Sequence, residues 1–302
     1  MRGTQFGRGG HRTLNEDKSA MLETVRTTTG EMHLDARTLR GRGVKATDDI
    51  RESFERWQLW WLLGLNDIRQ RYRRSRLGQT WITLSLLATI AAIGITYSTL
   101  FRMNIKEYLP FLTVNLIVWG LIAGLLNDSC MAFIQADGYM RQERIPKAVF
   151  ILRIIVRNCL IFAHNAVLIP LAMLLLGGSI SWTLLLAVPG FAWLLLNGAL
   201  AGLFLGVICA RFRDLPQIVN NIVQIAFFVS PVMWKRGQLL EQHQGLVDFN
   251  PFAAHLIIIS DPILGRMPTL GNYLMCLAST VLLAAVALPF FARYRERVVY
   301  WL

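Results

Sequence analysis

The sequence contains no GxxxxGK[ST] segment and no GK dipeptide. A phosphate-cradling P-loop needs that glycine-rich turn and its lysine, so ATP hydrolysis by this chain is excluded and no bound cofactor is expected in it. No two cysteines form a CxxC pair, and all four (Cys130, Cys159, Cys209 and Cys276) fall inside apolar segments. That excludes a zinc site or disulfide framework and predicts buried thiols. Lysine is scarce, with 5 Lys against 26 Arg. Charge is thin overall at 17% of residues, where soluble domains average about 25%. Asp128 is the one acid expected inside a span, so the chain of buried acids that an ion-coupled pump requires is missing.

Apolar sequence fills the place of these absences. Hydrophobic residues make up 54% of the chain and mean hydropathy is +0.43. Uncharged runs cover Leu77–Phe101, Tyr108–Asn127, Asn158–Ala210, Leu215–Trp234 and Met267–Ala292. A bilayer crossing takes about 20 apolar residues. The third run is too long for one crossing, and "GGSIS" at 177–181 divides it, giving six. The run after Tyr108 is expected to continue as helix past Asp128 to about Ile134. Between the last two crossings, residues 235–266 hold only "PFAAHLIIIS", too short to cross, which fits a re-entrant hairpin. The expected fold is an all-α polytopic membrane protein.

Orientation follows from the basic residues beside the spans. Seventeen Lys and Arg lie with both ends and the even-numbered connections, and five lie on the other side. Both termini are therefore expected in the cytoplasm. Residues 1–47, rich in Arg, Thr and Gly, read as a disordered tail without a signal peptide. Met21 and Met32 offer later starts, and no function is attached to this segment.

From 48 to 68 the pattern changes. Ile50, Phe54, Trp57, Trp61, Leu65 and Ile68 recur on one helical face. Thr47 is expected to cap the helix start, where Asp48 and Asp49 favour the positive end. Trp57, Trp60 and Trp61 suit the water–lipid boundary, so the segment reads as an interfacial amphipathic helix. Directly behind it, "RQRYRRSR" packs five arginines into eight residues, Arg69–Arg76. The net charge of +12 is no sign of nucleic acid, since no nucleic-acid fold or stacking platform accompanies it. Anionic lipid headgroups are the expected contacts.

Three further features bear on mechanism. Segment 136–148 forms the main cytoplasmic connection. Arg141, Gln142, Glu143, Arg144, Ile145 and Pro146 are expected to form a short helix that Pro146 ends. This is either a plain basic loop or a docking knob for a cytoplasmic partner. Asp128, in an antiparallel hairpin centred near 142, lies opposite Arg157, which predicts an ion pair and favours structural pairing over proton relay. In the fifth crossing, Gln217, Asn220, Asn221 and Gln224 share one face, which points to helix contacts or to a path.

Four stretches in order carry a resemblance: "NDIRQRYRRSRLGQTW", "RQERIPKAVFILR", "RFRDLPQIVNNIVQIAFFVSPVMW" and "FNPFAAHLIIISDPILG". Over 48–302 the chain resembles the membrane subunit of ABC-2-type exporters for polysaccharides and teichoic acids. That family often has a basic residue near position 260, where this chain has Ser260. The resemblance implies a 48–76 interfacial helix and arginine junction before a 77–302 six-span domain. It also implies a homodimer in the inner membrane, with a separate P-loop ATPase dimer below that carries ATP and magnesium. The loop at 141–146 would then couple to that ATPase. The implied substrate is a glycan on undecaprenyl diphosphate, with O-antigen type favoured over capsule or teichoic acid. A diphosphate suits bidentate guanidinium, so Arg69, Arg71 and Arg73 or Arg74 are its expected contacts. Trp57, Trp60 and Trp61 either anchor in the membrane or stack on sugars. The alternatives are an ABC-2 exporter of a lipid, drug or antibiotic, and a membrane scaffold without transport.

Overall fold

A computed structural model describes residues 43–73, 78, 80–100, 102–176 and 181–302 of the chain. Among the described residues the structure is helical and contains no strand. Helix α1 covers residues 43–55, and α2 runs Trp57–Tyr72. Five elements long and apolar enough to cross a membrane follow. They are α3 (Thr80–Leu100), α4 (Ile105–Cys130), the pair α6 (Ala148–Ala166) and α7 (Leu168–Leu176), α8 (Leu184–Arg211), and α12 (Leu270–Tyr294). Shorter helices lie between them: α5 (Asp137–Gln142), α9 (Leu215–Val229), α10 (Gly245–Asp248), α11 (Pro251–Ile263) and, at the end, α13 (Val298–Trp301).

Helix α4 is the axis of the bundle. It packs on α8, α6, α3, α7, α9 and α11, and Leu112, Val114, Val118 and Leu125 along it are almost fully buried. One core gathers around α4, α8, α9 and α11. A second, at the far end of α4, joins Phe133 and Phe150 to Val207, Phe291 and Val298. Outward faces of α3, α8, α9 and α12 present Ile95, Leu185, Ile225 and Leu282 uncovered, as an apolar solvent permits. Glycine allows the closest approaches. A Cβ at Gly64 would stand 2.8 Å from Val156 Cγ1, and one at Gly124 would collide with Asn158 Oδ1.

Several boundaries differ from the sequence expectations. Helix already covers 43–47, within the segment read as tail, so Thr47 is not a cap; its hydroxyl donates to the Val44 carbonyl at 2.7 Å. The single amphipathic helix is two, broken at Arg56. The Trp60 indole spans the break and donates to the Ser53 carbonyl at 3.0 Å. The short helix of the 136–148 connection is "DGYMRQ", not "RQERIP": it ends at Gln142, and Glu143 is extended. Helix α6 begins at Ala148, just after Pro146 and ten residues before the uncharged run, because the charges of Arg153 and Arg157 are compensated inside the fold. The break between α6 and α7 falls at Val167, ahead of Pro170; residues 177–180 of the expected divider lie outside the described residues.

The fifth crossing is the largest departure. Helix α9 has only 15 residues, about 22 Å at 1.5 Å per residue. Ser230 turns extended, its N–H still bonded to the Ala226 carbonyl at 2.9 Å. The turn that follows is held from α4, where the Tyr108 hydroxyl donates to the Met233 carbonyl at 2.7 Å. Residues 235–250 form 3-10 turns and α10. Asn250 then caps α11, accepting from the Phe252 and Ala253 N–H groups while its own amide donates to Ser230 Oγ. This polar knot explains why asparagine and serine sit in an otherwise apolar region.

Candidate functional site

Helix α2 lies along α6, and one buried charge cluster fastens them. Asp67 accepts from Arg153 through both oxygens, at 2.7 Å from Nε and 2.5 Å from Nη2. Arg157 Nη1 reaches the same carboxylate at 3.3 Å, while its Nη2 lies 2.9 Å from Asp128 on α4. Asn158 donates to Asp128 at 2.8 Å. Two carboxylates and two guanidiniums therefore neutralise one another where three helices meet. A charge left single there would be costly, and a bidentate fork is the geometry that offsets desolvation. The sequence expectation paired Asp128 with Arg157 alone and missed Asp67 and Arg153. The available signal was spacing: Arg153 and Arg157 are four residues apart, on one helical face.

A second node ties the 136–148 connection to both ends of the described chain. The Asp49 carboxylate accepts the backbone N–H groups of Lys147, at 3.1 Å, and Ala148, at 3.0 Å, and pairs with Arg295 at 3.0 Å. Asp49 thus caps α6 from α1, where the helix dipole favours an anion. Burial pushes the Lys147 amine down from its ordinary range, with Asp49 opposing and Arg295 adding to the fall. Ile145 packs on the second core and Pro146 is buried, whereas Arg141, Gln142, Glu143 and Arg144 are exposed. Arg141 bonds Asp137 one turn back at 2.6 Å. The loop is an exposed polar tip on a fixed base. Asp49 and Arg295 escape sequence reasoning, because 246 residues separate them.

The arginine block stands apart from this network. Arg69, Arg71 and Arg73 are exposed at the C-terminal end of α2, and no described carboxylate lies within ion-pair reach of them. Arg74 lies outside the described residues. Trp57 and Trp61 are exposed and Trp60 is half-buried. On α9, Gln217, Asn220, Asn221 and Gln224 are all exposed; only Val223 and Ala226 of that helix are buried. Gln217 donates to Asn221 at 3.4 Å. The structure does not bring the α9 face, the arginine block and the exposed loop together within one chain.

The sequence that builds this arrangement matches known proteins. Residues 58–261 match the family model described as ABC-2 type transporter. The chain belongs to the ABC-2 type transporter family. This ABC-2 chain is also similar to curated proteins named O-antigen export system permease protein RfbA. One from Klebsiella pneumoniae is 22% identical over 235 residues, covering 76% of this chain and 90% of that one. One from Myxococcus xanthus is 24% identical over 194 residues, covering 64% and 74%. A second from Klebsiella pneumoniae is 22% identical over 194 residues, covering 63% and 74%. The ABC-2 match spans α2 through most of α11, and so includes the Asp67 cluster, the 136–148 connection and α9.

Proposed function

We propose that this chain is the membrane subunit of an inner-membrane ABC exporter for a lipid-linked polysaccharide of the O-antigen type, working as a homodimer on a separate ATPase pair. The observation that carries the reading is the exposed amide face of α9. Amides facing lipid are unfavourable, and a second copy or a watery path would satisfy them. Two α9 faces opposed across a dimer axis would line a path suited to sugar hydroxyls. The names of the curated relatives support the glycan class. The basic bias of one side supports cytoplasmic termini. On this reading α9 and the turn after it complete a sixth crossing, and 235–266 is re-entrant. Exposed residues 141–144 dock in the ATPase, which holds ATP and magnesium. Exposed Arg69, Arg71 and Arg73, together with Arg74 of the same block, grip the diphosphate and anionic lipid beside the portal aromatics Trp57, Trp60 and Trp61.

Co-expression with the ATPase partner and reconstitution in vesicles tests this. A prenyl-diphosphate glycan is expected to stimulate ATP hydrolysis, and Arg69→Ala with Arg71→Ala to abolish the stimulation. Unchanged export and stimulation in that double variant would refute the diphosphate grip. One observation favours a second reading, an exporter of lipids or drugs. An apolar cavity of about 450 Å³ opens between α4, α8, α11 and α12, lined by Leu125, Gly198, Phe252, His255 and Leu282. Stimulation by apolar drugs and not by the glycan lipid would select it.

A further inference from the structure

A polar pocket lies at the end of the bundle remote from the arginine block. Its residue Asn115 sits 13 positions before Asp128 on α4, about 20 Å along the helix axis. The starts of α4 and α12, the end of α11 and the turn after α9 converge there around a cavity of about 130 Å³. Lys235, Arg236 and Arg266 line it together with Asp248 and Asp261.

The charges do not cancel. Arg236 pairs with Asp248 at 2.7 Å. Lys235 and Arg266 have no described carboxylate within ion-pair reach; the Lys235 amine lies 5.8 Å from the centre of the Phe111 ring. Asp261 is the remaining acid, and burial pushes its carboxyl above the ordinary range, with Arg266 opposing. At the pocket wall the Asn115 side chain is 2% exposed, and its Nδ2 has no hydrogen-bond partner. An unpaired buried amide donor costs about 1–3 kcal/mol, so Asn115 is built to meet an acceptor. Amide, ammonium and guanidinium donors converge on a space too small for an oligosaccharide. The complementary group is small, anionic and rich in acceptor oxygens.

We infer that this pocket is an oxyanion site that takes a phosphoryl group. Two sources share that chemistry. One is free phosphate or pyrophosphate. The other is the diphosphate end of the transported lipid on its way out, an identification that rests on the exporter reading. In that case the chain holds the same headgroup at two stations, first at the arginine block and then here.

Titration of the full chain in phosphatidylcholine nanodiscs tests the site without the ATPase. Arg69→Ala, Arg71→Ala, Arg73→Ala and Arg74→Ala are combined first, to remove the other expected phosphate contacts. Inorganic pyrophosphate is expected to bind this background. Adding Lys235→Gln and Arg266→Gln is expected to weaken it by about a hundredfold, as does the loss of two charge-assisted contacts at about tenfold each. Lys235 is half-buried and Arg266 exposed, so those changes spare the fold, which an unchanged thermal unfolding midpoint verifies. Asn115→Leu is expected to weaken binding about tenfold. Geranyl diphosphate binding at least as tightly as pyrophosphate assigns the lipid source, and weaker binding assigns the free anion. No pyrophosphate binding in the background overturns the site, as does binding that survives Lys235→Gln with Arg266→Gln. Displacement by neutral methyl glucoside also overturns it, since the pocket is then a sugar site. Each of these failures leaves the exporter reading standing, because that reading is measured by export.

Discussion

Two groups of arginines lie on neighbouring helices and do opposite things. Arg153 and Arg157 on α6 are largely buried and paired with Asp67 and Asp128, with Arg153 Nη1 and Arg157 Nε left without a hydrogen bond. Arg69, Arg71 and Arg73, within six residues of Asp67, are exposed and face no described carboxylate. The side chain is the same and the role is set by its neighbours. A guanidinium fixed by a carboxylate in low dielectric holds helices in place. One that is exposed and without a carboxylate keeps its donors open to an anion. α2 carries both Asp67 and the exposed arginines, so those arginines are bolted to the α4–α6 hairpin that leads to the exposed loop.

The sharpest way to break this contrast is Asp67→Ala. It strands the Arg153 guanidinium, leaves Arg157 with Asp128 alone, and is expected to cost about 3–5 kcal/mol, read as a lowered unfolding midpoint of the purified protein. A loss under about 1 kcal/mol would mean that the cluster is solvated and the contrast unreal. Asp49→Ala comes next. It removes two backbone bonds and an ion pair, and about 2–3 kcal/mol is expected. Faster hydrogen exchange at the Lys147 and Ala148 amides identifies that loss as local to the loop base.

Gly124→Ala probes the same cluster without touching charge. Its methyl collides with Asn158, and about 1–3 kcal/mol of overpacking is expected. Asn158→Ala should recover part of that loss, which a double-mutant cycle in thermal unfolding measures. The smallest effect on stability belongs to Arg69→Ala, Arg71→Ala and Arg73→Ala together, about 0.5 kcal/mol or less. The same triple variant is expected to lose substrate-stimulated ATP hydrolysis. Equal destabilisation by this triple and by Asp67→Ala would erase the comparison.

Uncharged runs were legible as helices because a bilayer demands them, and α3, α4, α8 and α12 fall where the sequence places them. The uncharged run alone covers only part of α6, which starts ten residues earlier at Ala148. Arg153 and Arg157 fit inside that helix because partners on α2 and α4 neutralise them. The polar spacing of α9 was legible, but not the bond by which Ser230 and Asn250, 20 residues apart, hold the turn after it. Nor did the period along 48–68 reveal the break at Arg56, since the apolar face continues on both sides of it.

By itself the sequence determined that the chain is helical and rich in apolar runs, that one side is basic, and that it carries no P-loop of its own. These are properties of runs and local spacings, and each residue contributes to them alone. Tertiary structure decided which arginines are held and which are free, and that α1, the C-terminal segment and the base of the loop meet at Asp49. Those outcomes depend on carboxylates far away in the chain, brought within hydrogen-bond reach only by packing around α4.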